Sequence, residues 1–206
     1  MPEPTPADGL PGRPPADLRI RSERAGDEPA IAAVVEAAFG SPVEAHLVGA
    51  IRASPGFLTD LSLVAELGGV VVGHVMISRA VLRNALTDRP IATLSPLAVA
   101  SDFRRRGIGS ALVREVTRRA DARGEPLVVL EGDPAFYGRL GFEPSAPHDI
   151  HITLPSWAPA EAAQVLRLHA YEPSIRGRVV YPPAFDEVTV VGPDADAHHE
   201  RTHGSG

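Results

Sequence analysis

An apolar strand that leads into a turn of arginine and glycine constrains this chain most. Leu97-Ala98-Val99 ends a strand-like run, and Arg104-Arg105-Arg106-Gly107-Ile108-Gly109 opens an amphipathic helix shortly after it. A helix N-terminus carries partial positive charge from its unpaired N–H groups, so the three arginines beside it do not favour stability by themselves. The segment therefore predicts an anion-binding site where a strand passes into a helix.

The composition excludes several classes of protein. The net charge is −6, which disfavours non-specific nucleic-acid binding because such binding needs a broad basic surface. No apolar run is long enough to span a bilayer and no secretory leader is evident, so we expect a cytoplasmic protein without a membrane segment. Cysteine is absent, which rules out disulfides, thiolate metal sites and a covalent intermediate on a thiol.

The two ends of the chain differ in composition from its middle. Residues 1–16 are rich in proline and acidic side chains, and residues 191–206 form a second polar stretch. Such segments do not contain enough apolar surface to form a core. We expect a disordered arm, one domain over residues 17–190, and a disordered tail.

The hydrophobic pattern of the middle indicates a mixed α/β fold. Period-two or continuously apolar runs predict strands, and runs with helical spacing predict helices. The predicted strands are 18–21, 61–67, 70–82, 91–99, 126–130, 164–170 and 177–181, and the predicted helices are 29–39, 44–51, 107–124 and 135–140. Gly68-Gly69 predicts a hairpin turn, and Pro96 predicts a bulge or an unpaired position in its strand. The order of elements predicts an antiparallel first half followed by a strand–helix–strand crossover.

Three interpretations compete for the arginine-glycine segment. A Walker-type phosphate loop is excluded because no Gly-Lys-Ser/Thr follows at the required spacing. A dinucleotide fingerprint would need a third glycine where Leu112 stands. A solvated arginine-rich turn before a surface helix is the remaining alternative to a functional site.

Two motifs resemble those of the Gcn5-related N-acetyltransferases (GNAT). Arg104, Gly107 and Gly109 fill the defining positions of the family's motif A, R/Q-x-x-G-x-G/A, after a strand and at the start of a helix. The segment 133–142, Asp-Pro-Ala-Phe-Tyr-Gly-Arg-Leu-Gly-Phe, is similar to the family's aromatic-Tyr-x-x-x-Gly-Phe element. The resemblance covers about residues 17–185 and is strongest to a bacterial subgroup. It implies a central mixed, twisted sheet of six to seven strands flanked by about four helices.

The resemblance also implies acetyl-CoA as co-substrate and assigns residues to it. The backbone N–H groups of Arg105, Arg106, Gly107, Ile108, Gly109 and Ser110 would cradle the pyrophosphate, and the side chains of Arg104, Arg105 and Arg106 would add positive charge. Leu97, Ala98 and Val99 would pair with the pantetheine arm, where the family's sheet splays. Tyr137 would be the general acid that protonates the departing thiolate.

The general base is less well defined by the sequence. Many relatives carry a glutamate on the motif-A strand, but residues 93–99 contain no carboxylate. Glu131, Glu44, His74 and a water chain are the alternatives, of which we choose Glu131. The histidines at 148, 151, 198 and 199 match no zinc spacing, so we expect no metal.

The sequence thus predicts an acetyl-CoA-dependent N-acetyltransferase. The acetyl group would move directly, in a ternary complex, to a primary amine on a small molecule or peptide. The alternative is a non-catalytic acyl-CoA sensor or interaction module, for which the missing strand carboxylate is the best support. A homodimer paired through the strand-rich C-terminal segment is left open.

Overall fold

The computed structural model describes residues 12–186, which form one mixed sheet flanked by helices. The α-helices are α1 (Glu28–Phe39), α2 (Val43–Arg52), α3 (Ile108–Ala122) and α4 (Pro134–Tyr137). The strands are β1 (Arg19–Ser22), β2 (Phe57–Leu67), β3 (Val70–Arg83), β4 (Asp88–Val99), β5 (Leu127–Glu131), β6 (Glu143–Pro144), β7 (Ile150–His151), β8 (Ala163–Arg167) and β9 (Gly177–Val180). The tail predicted for residues 191–206 lies outside the described residues. So do residues 1–11 of the arm predicted for residues 1–16.

The sheet has the order β1-β2-β3-β4-β5-β8-β6, and β9 pairs with the far end of β3. Its pairs are antiparallel except for β4 with β5 and β7 with β9, which are parallel. The described residues thus give nine strands, more than the six to seven expected. The difference includes β6 and β7, which have two residues each and are too short to show a period.

The turn between β2 and β3 confirms the hairpin predicted from its glycines. Gly68 has φ 55° and Gly69 has φ 83°, so both lie in the left-handed region. A two-residue hairpin turn of this kind needs positive φ at both central positions, which glycine adopts without a steric cost.

The two faces of the sheet are covered by different helices. On one face α3 packs against Ala92 and Leu94 of β4 and against Val128 and Leu130 of β5. On the other face lie α1 and α2, together with Phe185. Side chains alternate along a strand, so Val129 and Glu131 are directed away from α3.

A bulge in β4 changes which of its side chains face α3. Val75 of β3 pairs with Leu97 and Ile77 pairs with Leu94, so a single β3 residue lies opposite Ser95 and Pro96. This confirms the irregularity predicted at Pro96. Because the extra residue shifts the alternation by one, Leu94 and Leu97 both pack on the α3 side.

The parallel contact between β4 and β5 is short. It covers Ala92 with Val128 and Thr93 with Val129, although β4 continues to Val99 and β5 to Glu131. Beyond Thr93, the described strand partner of β4 is β3 alone, and β5 keeps its pairing with β8 as far as Glu131. The two strands therefore separate, and the sheet has an opening between their C-terminal ends.

Candidate active site

The first turn of α3 offers unpaired backbone donors beside this opening. Arg105 has φ 60° and Gly107 has φ 73°, and the first helical hydrogen bond runs from the N–H of Ala111 to the carbonyl of Gly107 at 3.0 Å. Within residues 12–186, the N–H groups from Arg105 to Ser110 donate to no backbone acceptor. A row of such donors at a helix N-terminus is suited to an anion.

The Arg104 side chain is used structurally. Its Nη2 donates to the carbonyl of Ala38 at 2.8 Å, and its Nε donates to the carbonyl of Val99 at 3.2 Å. Arg104 thus fastens the end of α1 to the end of β4, and its guanidinium is already engaged. The side chains of Arg105 and Arg106 are exposed, and the Arg106 guanidinium lies 5.5 Å from the centre of the Phe103 ring.

A segment of the N-terminal arm lies against Gly107. A Cβ atom at Gly107 would be 2.6 Å from the carbonyl oxygen of Gly12 and 2.9 Å from the nitrogen of Pro14. These are backbone atoms, which cannot move aside as a flexible side chain can. Position 107 therefore requires glycine for two reasons, its φ and this close approach.

Tyr137 lies at the end of α4 against the end of β5. The Asp133 carboxylate accepts a hydrogen bond from the N–H of Ala135 at 2.8 Å and caps the helix. The Tyr137 ring makes edge contacts with Phe136 at 4.8 Å and Phe142 at 5.5 Å. Burial raises the pKa of Tyr137 to about 12, so its hydroxyl is protonated at neutral pH and can donate.

The start of α3, residues 105–110, is called the cradle. It lies close to both the end of β4 and α4. A Cβ atom at Gly109 would lie 3.6 Å from the Phe136 ring, 3.7 Å from Val99 and 3.8 Å from Leu97. The structure thus brings together the start of α3, the strand end and the helix that carries Tyr137. These are three of the elements that the sequence assigned to one site.

Glu131 reaches the site from the opposite face of the sheet. The Glu131 side chain is directed away from α3. At the next residue, Gly132, the Tyr137 ring occupies the space that a Cβ atom would fill. The Glu131 side chain is exposed at the end of β5, but neighbouring groups shield it in part from water and so raise its pKa, an effect that a hydrogen bond from Tyr181 opposes. Tyr137 and Glu131 therefore lie on opposite faces at the end of β5.

Two residues of this site were missed from the sequence. Gly132 matters because a side chain there would overlap the Tyr137 ring. Tyr181 follows β9, its ring stacks on Phe185 at 5.0 Å, and its hydroxyl forms hydrogen bonds with Glu131 and Thr93. The sequence places Tyr181 at the end of a strand but shows nothing of which strands it meets.

The other candidate bases have different surroundings. His74 is fully buried in β3, its Nδ1 lies 3.1 Å from the carbonyl of Leu63, and burial lowers the pKa of His74 to about 4. A neutral histidine enclosed in the core has no contact with a substrate. Glu44 is on the inward face of α2 with Leu47, and its Oε2 is buried with no hydrogen-bond partner among the described residues.

Neither a metal centre nor a membrane segment is found in the described part of the chain. Among residues 12–186, no three metal-ligating side chains of His, Asp or Glu are grouped, and His148 instead contacts Glu143 at 3.2 Å. His198 and His199 lie outside these residues. No helix within the same range has both the length and the apolar character needed to cross a membrane.

Sequence and fold both relate this chain to the GNAT acetyltransferases. The family model described as an acetyltransferase (GNAT) domain matches residues 19–145. An uncharacterized N-acetyltransferase of Escherichia coli, YhbS, is 39% identical over 153 residues, which span 73% of this chain and 87% of YhbS. The chain belongs to the GNAT family.

Two solved structures extend the similarity to the fold. The crystal structure of E. coli YhbS in complex with CoA has a TM-score of 0.74 at 34% identity, over 84% of this chain and 93% of that one. A GNAT family acetyltransferase from Brucella melitensis in complex with acetyl-CoA has a TM-score of 0.65 at 30% identity, over 82% of this chain and 98% of that one. The mixed sheet with its four α-helices is thus the GNAT fold.

The contact between Gly132 and Tyr137 gives a prediction about stability. We expect Gly132→Ala to lower the free energy of unfolding by about 1–3 kcal/mol, because the added methyl group overlaps the Tyr137 ring. Urea unfolding followed by circular dichroism measures the change.

Gly138→Ala is the matched control for this substitution. Gly138 has φ −58° and ψ −36°, and nothing lies within 4 Å of the added Cβ. We expect this variant to be about 0.5–1 kcal/mol more stable than the parent, because alanine loses less backbone entropy in a helical conformation. Equal stability of the two variants would contradict the contact.

Proposed function

We propose that this protein is an acetyl-CoA-dependent N-acetyltransferase that moves an acetyl group directly to a primary amine. The observation that carries the proposal is the opening between β4 and β5, with the Tyr137 hydroxyl on one face and the Glu131 carboxylate on the other. Such an opening allows a thioester to be reached from both sides. Two GNAT proteins similar to this chain were crystallised with CoA or acetyl-CoA, which supports the choice of donor.

The start of α3 and the end of β4 would bind the donor. The unpaired N–H groups from Arg105 to Ser110 fit a pyrophosphate. The exposed side chains of Arg105 and Arg106 belong to the same segment and would add positive charge around that pyrophosphate. Leu97–Val99 lies beyond the contact with β5, so its backbone can pair with the pantetheine arm as an added strand does. Arg104 would act indirectly, by holding the strand end to α1.

The acceptor must lose a proton during the reaction. A lysine-like amine has a pKa of about 10.4, so only about one molecule in a few thousand is neutral at pH 7. An ammonium acceptor releases one proton to solvent before it attacks, and the attacking nitrogen loses a second proton as the C–N bond forms. Glu131 would accept this second proton on the face away from α3 and pass it to solvent. Its raised pKa makes it a stronger base than an ordinary surface carboxylate.

When bound, acetyl-CoA supplies an acetyl thioester whose carbonyl carbon is attacked by the amine. The new C–N bond forms as the C–S bond breaks, and the sulfur keeps the electron pair of the broken bond. Tyr137 would be the general acid, since its O–H donates to the sulfur as negative charge develops there. Solvent then restores the phenol proton.

Direct transfer agrees with the composition of the chain, which has no cysteine to carry an acetyl group. We therefore expect mass spectrometry after incubation with acetyl-CoA alone to show the unmodified mass. A mass increase of one acetyl group would contradict direct transfer.

The role of Tyr137 is tested by Tyr137→Phe. We expect kcat to fall by about 10²-fold, because general acid catalysis contributes about this much, while CoA affinity stays within about twofold. The measurements are thiol release with a panel of amines and calorimetric titration with CoA. Tyr171→Phe, a tyrosine beside Arg167, serves as the control and should retain full activity.

The same assay separates catalysis from sensing. A weakened CoA affinity with unchanged kcat in Tyr137→Phe would overturn the assigned role. If the parent protein binds CoA but releases no thiol with any amine of the panel, the protein is instead an acyl-CoA sensor.

The cradle is tested by Gly107→Ala. We expect CoA to bind at least about tenfold more weakly, a loss of about 1.4 kcal/mol, since the substitution strains the turn that presents the N–H donors. Gly124→Ala is a matched control, because Gly124 has φ 79° but open space around it at the far end of α3. A similar loss of CoA affinity in both variants would show that general destabilisation, and not the cradle, is responsible.

A further inference from the structure

We propose that Tyr181 is a positioning residue that holds the Glu131 carboxylate at the amine side of the opening. The proposal rests on the function proposed above, and it adds a residue that lies beyond the matched residues 19–145. Tyr181 does not transfer the proton itself. It fixes where the accepting oxygen is and in which protonation state it stays.

The fold brings Tyr181 to the point where the sheet opens. Val180 pairs with Val81 at the far end of β3, on the edge opposite β4, and the Tyr181 ring packs on the face away from α3 against the cluster that contains Ile91 of β4 and Val129 of β5. Its hydroxyl forms hydrogen bonds with Thr93 of β4 and with Glu131 of β5. Thr93 belongs to the last residue pair before the two strands separate, so the hydroxyl bridges them at the base of the opening.

The Tyr181 ring is held firmly enough to serve as a fixed donor. It stacks on Phe185 with ring centres 5.0 Å apart, and it packs against two apolar clusters, one beneath α1 and α2 and one that contains Val129 of β5. A donor with restricted motion loses little entropy when it forms a hydrogen bond. A solvent molecule in its place would not have this advantage.

The order of donors in this chain of hydroxyl groups follows from their chemistry. An ionised carboxylate only accepts, so the Tyr181 O–H donates to Glu131, and the Tyr181 oxygen is left to accept from the Thr93 hydroxyl. The arrangement favours the ionised form of Glu131, which is the form that can accept a proton from an amine.

The remaining groups around Glu131 do not compete for this role. The Asp133 carboxylate caps α4 through Ala135, and Gln164 of β8 donates to the carbonyl of Gly132 at 3.0 Å. Tyr137 is on the opposite face of the strand end. Within the described part of the chain, Tyr181 is the side chain that perturbs the Glu131 carboxylate.

Removal of the Tyr181 hydroxyl should change the pH profile in a defined direction. Partial desolvation raises the pKa of Glu131, and the hydrogen bond from Tyr181 lowers it. Without that bond the pKa of Glu131 rises further. Because the base must be ionised, kcat/KM falls at low pH as Glu131 becomes protonated. This falling part of the profile, the acid limb, then moves to higher pH.

The experiment compares Tyr181→Phe with the parent protein by measuring kcat/KM for one reactive amine from about pH 5 to 9. We expect the acid limb to move up by about one pH unit, with a roughly tenfold loss of kcat/KM below it and a near-parental value at high pH. CoA affinity and the circular dichroism spectrum should stay parental. Tyr171→Phe is the control and should keep the parental limb.

Two further variants make each outcome decisive. Glu131→Gln should lower kcat/KM at all pH values and remove the acid limb; if its profile is parental, the base assigned in the proposed function is wrong. If Glu131→Gln removes the limb but Tyr181→Phe leaves it in place, the positioning role alone is overturned. If Tyr181→Phe does not fold, Thr93→Val decides, because loss of the donor to Tyr181 should move the limb in the same direction by a smaller amount.

Discussion

The short parallel contact between β4 and β5 is the constraint on which the rest of this structure depends. The strands are paired at Ala92–Val128 and Thr93–Val129 and then separate, each held on its other edge by β3 or β8. Because the outer partners continue, the opening does not collapse. It leaves the backbone of the β4 end accessible beside the N-terminus of α3, and it lets side chains on both faces reach the same space.

Several features that surround this opening followed from the sequence. The motif of Arg104, Gly107 and Gly109 predicted the start of α3. Glycine is required at position 107 because of its positive φ and the close approach of other backbone atoms. Helical and alternating periods located α1 to α3 and the longer strands, since each of these buries one regular face. Tyr137 was found through its motif, and the structure places it with the cradle and the strand end.

Other features depend on contacts between distant segments, which a single sequence does not show. The Arg104 side chain is engaged by the carbonyls of Ala38 and Val99, so part of the expected positive charge instead anchors α1. The bulge was expected at Pro96, but its effect on which side chains face α3 required the register with β3. Tyr181 meets Glu131 only because β9 pairs with the far end of β3.

The central claim is that the transferred group is held in the opening, between a proton donor on the α3 face and a proton acceptor on the other. A crystal structure of the protein with CoA and a non-reactive amine tests it most directly. We expect the CoA sulfur between the ends of β4 and β5, within hydrogen-bonding distance of the Tyr137 hydroxyl, and the amine nitrogen on the Glu131 side. A sulfur atom outside the opening, or an amine on the same face as Tyr137, would contradict it.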